Sequence, residues 1–253
     1  AALATLLSMA FAGQALAASE ISPLERLGGA DRYETMSLVV EEGFSDGDQS
    51  TAVVASGEKF PDAMVASSLV GACNCPLITT SNTSLSPEAK EQLQRLGVKK
   101  VYILGDGNTI STSVESEIKE LNGGIDTERL AGSTRLGTAI AVAKETRAVD
   151  PSSDTCIVTK SSNFPDALAI SAWAAHTSSP IFFSENGAFD QQTVDAIREG
   201  GYRKVLVLGD DSGSDGIKSN GVRSLGLTSI RLAGADRYAT AATILRWETG
   251  WYS

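Results

Sequence analysis

Glu25-Arg26-Leu27-Gly28-Gly29-Ala30-Asp31-Arg32-Tyr33-Glu34-Thr35 decides how this chain is read. The stretch returns as Glu128-Arg129-Leu130-Ala131-Gly132-Ser133-Thr134-Arg135-Leu136-Gly137-Thr138 and again as Ile230-Arg231-Leu232-Ala233-Gly234-Ala235-Asp236-Arg237-Tyr238-Ala239-Thr240. The intervals, 103 residues from Arg26 to Arg129 and 102 from Arg129 to Arg231, are too long for a solenoid unit and match a small domain. Other landmarks keep the register: Phe60-Pro61-Asp62-Ala63 with Phe164-Pro165-Asp166-Ala167, Pro76-Leu77-Ile78 with Pro180-Ile181-Phe182, and Val101 to Asp106 with Val205 to Asp210. The chain therefore divides into one unit over 25–127, a second over 128–229 and the start of a third over 230–253.

Within a unit the hydrophobic period switches repeatedly. Residues 51–55, 76–79 and 100–104 are short apolar runs suited to buried parallel strands, and 155–159, 180–183 and 203–208 repeat them. Helical spacing fills 31–42, 60–72, 86–96 and 111–121, with Ser86-Pro87 and Ser111 as helix starts. This alternation predicts an α/β fold of tandem small domains. Each is a mainly parallel sheet flanked by helices in a Rossmann-like or Toprim-like three-layer unit, with right-handed crossovers. The start of the third unit has no following sheet of its own, so Leu232, Ile244, Leu245 and Trp247 are expected to lack a domain of their own to pack against.

Composition narrows the function classes. The 253 residues are 42% apolar and 21% charged, the make-up of a folded domain. The net charge of -10 supplies no field of the sign that nucleic acid or an anionic bilayer needs. Local clusters of Arg and Lys still allow an anionic ligand, because remote charges are screened beyond about 10 Å at ordinary salt. Residues 1–19 carry no charge, and their apolar run ends at Ala15-Leu16-Ala17, a small-x-small pattern. That reads as a secretory signal over 1–17, followed by a linker over 18–24, with no stable membrane insertion after cleavage. Cys73, Cys75 and Cys156 are odd in number and do not form a disulfide framework; small buried residues near a helix end are the expected role of Cys73 and Cys75.

Several motifs bear on chemistry. Gly105-Asp106-Gly107-Asn108 follows a strand and precedes a helix, where α/β sheets bind ligands. It has neither dinucleotide nor Walker spacing, and a tight strand-to-helix turn accounts for it better. Asp62 and Asp166 follow Pro in the first turn of a helix, suited to the positive helix end; each carboxylate could also enter a cleft and meet a sugar hydroxyl or an Arg. The pairs Arg26 with Arg32, Arg129 with Arg135, and Arg231 with Arg237 recur at a six-residue offset. They suit bidentate anion contact, or ion pairs with Asp31 and Asp236 that hold the turn. The only histidine, His176, has Ala72 at the matching position, so no His-dependent catalytic set or metal site recurs. No cofactor is expected.

At these landmarks the chain resembles the cell-wall-binding repeat type 2 family, whose units carry R-L-x-G-x-D-R-Y, x-F-P-D-A-L, P-I-L-L and V-Y-I-L-G-G segments. Thr134 and Leu136 depart from the Asp and Tyr of the first segment, Met64 from the Leu of the second, and Asp106 and Asp210 from the last Gly of the fourth. The resemblance implies a non-catalytic anchor, secreted and held at the Gram-positive cell wall or surface. Three such repeats pack on one another in a pseudo-threefold array and bind an anionic secondary wall polymer or peptidoglycan. It also implies Arg32, Arg135, Arg237, Asp62, Asp166, Pro76 and Pro180 as polymer-facing positions. Two alternatives stay open: part of a peptidoglycan hydrolase of the N-acetylmuramoyl-L-alanine amidase type, and a structural surface-layer component.

Overall fold

Backbone strands form where β-branched runs can be buried on both faces. Along β1 (Thr51–Ser56), Val53 and Ala55 enter one apolar cluster while Ala52 and Val54 enter another on the opposite face. The computed structural model describes residues 26–162 and 164–250. The signal expected over 1–17 and the linker over 18–24 lie outside the described residues, as do Trp251, Tyr252 and Ser253.

The first unit opens with α1 (Arg32–Gly43), then β1, α2 (Phe60–Cys73), β2 (Leu77–Thr80), α3 (Pro87–Arg95), β3 (Lys100–Leu104), α4 (Thr112–Lys119) and β4 (Asp126–Leu130). The second repeats the order with α5 (Arg135–Val149), β5 (Thr155–Lys160), α6 (Pro165–His176), β6 (Ile181–Ser184), α7 (Gln191–Glu199), β7 (Lys204–Leu208), α8 (Ser219–Ser224) and β8 (Thr228–Leu232), after which α9 (Arg237–Glu248) follows. Each unit holds a four-stranded, all-parallel sheet, ordered β2-β1-β3-β4 and β6-β5-β7-β8. The α/β class, the parallel sheets and their identical order follow the sequence expectation. Among the described residues no helix is long and apolar enough to cross a membrane.

The strand β4 contains Glu128-Arg129-Leu130, the sequence that opens the second repeat, yet it pairs with β3 of the first sheet. Likewise β8 contains Ile230-Arg231-Leu232 and pairs with β7. Sequence repeat and sheet are thus out of phase. This corrects the expectation for residues after 230: Leu232 and Ile244 are buried, and Trp247 stacks edge-on against Trp173 at 5.1 Å. They borrow the second unit's core, whereas Leu245 remains 60% exposed.

The helices α2 and α6 lie in the apolar cluster shared by both sheets, with Leu136, Ala139 and Val142 of α5 and Ile244 of α9 beside them. Equivalent residues meet along this contact. The Phe60 and Phe164 rings are 5.0 Å apart at the start of the two helices, and Gly71 abuts the Ala175 carbonyl near their ends. The two helices therefore run side by side in the same direction.

The repeated stretch is itself a capping device. Asp31 accepts from the Tyr33 and Glu34 amides at 2.8 and 3.0 Å, and Asp236 accepts from the Ala239 amide at 2.8 Å. Thr134 accepts from the Gly137 amide at 3.3 Å, which explains how Thr replaces Asp in the second unit: both supply an N-cap oxygen. The expected ion pairs of Asp31 and Asp236 are replaced by this role, because the carboxylates turn toward the free amides of the first helical turn. A threonine nine residues on from the motif's first Arg closes each loop, with the amides of Gly29, Gly132 and Gly234 donating to Thr35, Thr138 and Thr240 at 3.1, 3.2 and 3.0 Å. A Cβ on Gly132 would lie 2.3 Å from the Gly137 carbonyl carbon, so the loop admits only glycine there. Thr134→Ala is expected to lose about 1 kcal/mol of stability, and Thr134→Asp to lose little or none, in urea unfolding monitored by circular dichroism.

Candidate functional site

In a sheet ordered β2-β1-β3-β4, the chain leaves β1 toward one edge and β3 toward the other. Their C-terminal ends part to leave a crevice, the place where open α/β sheets receive ligands. A cleft of about 420 Å³ lies there in the first unit. Glu58 and Lys59 line it from the β1–α2 connection, Pro61 and Asp62 from the first turn of α2, Asp106, Asn108 and Thr109 from the β3–α4 turn, and Ser133, Thr134 and Arg135 from the start of α5. The first unit's crevice is therefore closed by residues of the second repeat.

Asp62 sits at its base, 7% exposed, and accepts no hydrogen bond among the described residues. Its Oδ2 lies where a Cβ on Gly105 would be 2.6 Å away, so the positive φ of Gly105, 92°, and its missing side chain make room for the carboxyl. Burial first, and then the nearby Asp106 carboxylate, push its pKa up to about 6 against the opposing charges of Lys59 and Arg135. Asp106 has the reverse setting. The Asn108 side chain (3.0 Å), the Thr109 hydroxyl (3.0 Å) and the Asn108 amide (3.1 Å) donate to it and hold its pKa below the usual carboxylate value. The Gly105-Asp106-Gly107-Asn108 stretch is thus both the tight turn expected from sequence and one wall of the cleft.

The second unit repeats the carboxylates. Asp166 is half-buried with its pKa raised, chiefly by burial, and it packs against Gly209. Asp210 accepts from Ser212 at 2.7 Å and from Lys160 at 3.3 Å, and its pKa is lowered first by the Ser212 bond.

The arginines divide by position. Arg129 and Arg231 donate to the carbonyls of Gly105 and Gly209 at 2.8 and 2.7 Å, securing the glycine just past the third strand of each unit. Arg129 also pairs with Glu115 at 2.7 Å. The arginines that open the helices reach another loop: Arg32 donates to the Gly57 carbonyl and Arg135 to the Ser161 carbonyl at 2.8 Å. Gly57 and Ser161 are equivalent residues just past β1 and β5. Arg32, Arg135 and Arg237 all present exposed side chains, and Arg237 adds its charge near Asp166.

Pro76 and Pro180 fall elsewhere. Both are buried before the first residues of β2 and β6, at the opposite end of parallel sheets from the cleft, and their carbonyls accept from the amides of Val53 (3.0 Å) and Ile157 (2.8 Å). They start strands and do not meet Asp62 or Arg135. His176 ends α6 and is exposed. Cys75 and Cys156 are buried and Cys73 half-buried at the end of α2. Sequence reasoning passed over Lys59, Ser133 and Lys160; the only signal for Lys160 was that it stands opposite Ser56 in the register of the two units.

The model of the family described as cell wall binding domain 2 matches residues 26–115 and 129–214, one match per sheet-bearing unit. The chain belongs to that family. This cell wall binding domain 2 chain is similar to the N-acetylmuramoyl-L-alanine amidase LytC of Bacillus subtilis, at 31% identity over 244 residues covering 95% of the chain and 47% of that protein. It is also similar to the amidase enhancer of the same organism, at 25% identity, covering 89% of the chain and 30% of that protein. The chain thus spans at most about half the length of these relatives. Among solved structures, Cwp6 from Clostridium difficile superposes with a TM-score of 0.80 at 24% identity, covering 90% of this chain and 35% of that one. Cwp8 from the same organism gives 0.77 at 25%, covering 87% and 37%. The cell wall binding domain 2 units are therefore the tandem repeats read from sequence, and the first of them carries the cleft at its strand ends.

Proposed function

We propose that this chain is the wall-holding part of an exported protein, a non-catalytic module that binds an anionic secondary polymer of the Gram-positive cell wall without a covalent bond. The tandem match of one cell-wall-binding family model to both units carries this reading. Its units are 25–127, 128–229 and the start of a third at 230, and a completed third unit would bring its own α2-type helix against α2 and α6 around a pseudo-threefold axis. The meeting of equivalent residues, Phe60 with Phe164 and Gly71 with Ala175, supports that arrangement. Polymer contact falls to the crevices with Asp62 and Asp166 and to the free edges of Arg32, Arg135 and Arg237. Hydrolysis, in this reading, belongs to whatever chain accompanies the module, as the amidase named among its relatives is about twice its length.

A pull-down with purified Gram-positive walls, before and after extraction of their anionic polymer, tests the reading. The chain is expected to sediment with intact walls, to lose most of that binding after extraction, and to bind more weakly as salt rises, because contacts through a few arginines are screened. A version completed through the third unit is expected to bind more tightly, since linked weak sites act at high effective concentration. Equal binding to extracted and intact walls would overturn the polymer assignment. An Arg32→Ala, Arg135→Ala, Arg237→Ala variant that remains folded and binds undiminished would assign those arginines to the loops alone.

A further inference from the structure

The strand ends of the two units share their carboxylates and differ in what faces them. In the second unit Lys160 ends β5, and its Nζ stands 3.3 Å from Asp210 Oδ1. Its Cε would lie 3.7 Å from a Cβ on Gly209, and Asp166 Oδ2 would lie 3.0 Å from the same position. Its charge also acts on Asp166. An internal ammonium therefore serves the acid pair there.

The first unit has Ser56 at the equivalent end of β1, and its hydroxyl is taken by the amides of Glu58 and Lys59 at 3.1 and 3.3 Å. Lys59 turns its Nζ to the Asn108 carbonyl at 2.7 Å, and Arg135 directs Nη1 to Ser161. Asp62 is left at the base of an open cleft as a carboxyl that accepts no hydrogen bond among the described residues, with only the positive charges of Lys59 and Arg135 acting on it from the walls. Its oxygens open onto the cleft, where water or a ligand supplies the missing donor. Such an atom aimed into a cavity is suited to receive a donor from a ligand. The charges on the cleft walls are Glu58, Asp62 and Asp106 against Lys59 and Arg135, an excess of one negative charge that favours a cationic over an anionic group at this point.

We propose that the first-unit cleft takes a primary ammonium carried on a hydroxyl-bearing saccharide or polyol, the ligand's cation standing against Asp62 and Asp106 where Lys160 stands in the second unit. This deepens the wall-binding reading and rests on it. The polymer held by the two units then carries amines beside its anionic groups, as an amino sugar or as an aminoacyl ester on a polyol. An ammonium offers three donors, enough to satisfy Asp62 and an open lone pair of Asp106 together. Asn108, Ser133 and Thr134 are placed for the neighbouring hydroxyls. Binding needs Asp62 ionised, so affinity is expected to fall as the pH drops below about 6, where burial and Asp106 hold its proton.

Calorimetric titration of the chain with glucosamine, N-acetylglucosamine and alanyl-glycerol at pH 7 tests this. Glucosamine or alanyl-glycerol is expected to bind one site per chain, with the better of the two naming the ligand type, and N-acetylglucosamine is expected to bind at least tenfold more weakly. Ser56→Lys should place an internal ammonium in the first cleft and abolish that binding, while Lys160→Ser should add a second site; circular dichroism checks that both remain folded. Absence of binding by both amines, equal binding of the acetylated sugar, or undiminished binding by folded Ser56→Lys would each overturn the proposal. The wall pull-down on the unaltered chain keeps the two readings apart. Wall binding without amine binding removes only the ammonium site, and loss of wall binding removes the reading beneath it.

Discussion

Gly71→Ala is expected to destabilise the protein by about 3 kcal/mol, the upper end of what overpacking a well-filled interior costs. The sign is opposite to that of the helix itself. Alanine in the middle of an isolated helix is favoured over glycine by about 0.8–1 kcal/mol. In α2, however, a Cβ at residue 71 would lie 1.8 Å from the carbonyl oxygen of Ala175 and 2.5 Å from its carbonyl carbon. Those are backbone atoms of α6, so relief requires one helix to move bodily from the other. That movement would loosen Leu69, Ile170 and Ala174, which are fully buried in the cluster shared by both sheets. Residue 175 is the equivalent of residue 71, and two alanines cannot occupy the contact; one copy must be glycine for like positions to meet. Chemical denaturation measures the effect directly. A Gly71→Ala variant as stable as the parent, or more stable, would show that the helices do not approach this closely in solution.

The second large effect is electrostatic. Glu115 is held at about 2, well below its ordinary 4.5, by hydrogen bonds from Lys119 first and then from Arg129 and Thr127, against the opposing effect of its burial. A carboxylate whose folded pKa is depressed adds stability above its unfolded pKa and gives it up as pH falls toward the folded one. The window therefore runs from about pH 4.5 down to about 2. At 1.36 kcal/mol per unit, the shift corresponds to about 3 kcal/mol at neutral pH. The Lys119 partner is exposed, so about 2 kcal/mol is the better expectation. Glu115→Gln should lose that amount at pH 7 and show a flatter decline of stability below pH 4.5 than the parent. Asp62 works in the other direction. Its folded pKa is raised from 3.8 to about 6, so its contribution is full below pH 3.8 and lost as pH rises through 6. Asp62→Asn should accordingly remove a destabilising slope between those values, and urea midpoints of the two variants across pH 2–8 separate the effects. A parent-like pH profile in Glu115→Gln would contradict the proposed role of the Glu115–Arg129 pair, which also secures the Gly105 carbonyl beside the cleft.

Much of the architecture was legible because repetition and periodicity are local properties of a chain. The runs at 51–55 and 100–104 read as buried strands since both of their faces are apolar. The order of landmarks identified two like units, and Pro61 and Ser86 marked helix starts that the structure contains. The strands β4 and β8 were harder to place. Asp126-Thr127-Glu128-Arg129-Leu130 lies at a sheet edge with most of its side chains partly exposed, so hydrophobicity gave it no sheet to join. Their pairing joins the opening of each sequence repeat to the sheet before it, and that depends on backbone hydrogen bonds that no side-chain pattern records.

The candidate site was legible only in part, for a similar reason. Asp62, Asp166 and Arg135 could be named because they recur in a motif, but a motif does not say which recurring residues face one another. Pro76 and Pro180 recur just as faithfully, yet they start strands at the far end of the sheet. Sequence by itself determined the α/β class, the tandem units and the N-terminal signals of their helices, since each rests on chemistry between near neighbours along the chain. Only the tertiary structure decided that Asp62 lies at the base of a cleft with no hydrogen-bond donor among the described residues, that Lys160 pairs with Asp210 in the second unit where the first has Ser56, and that Gly71 must lack a side chain. Those facts arise where segments tens to a hundred residues apart are brought within a few ångströms, and the distances that settle burial, charge pairing and steric room exist only in the packed fold.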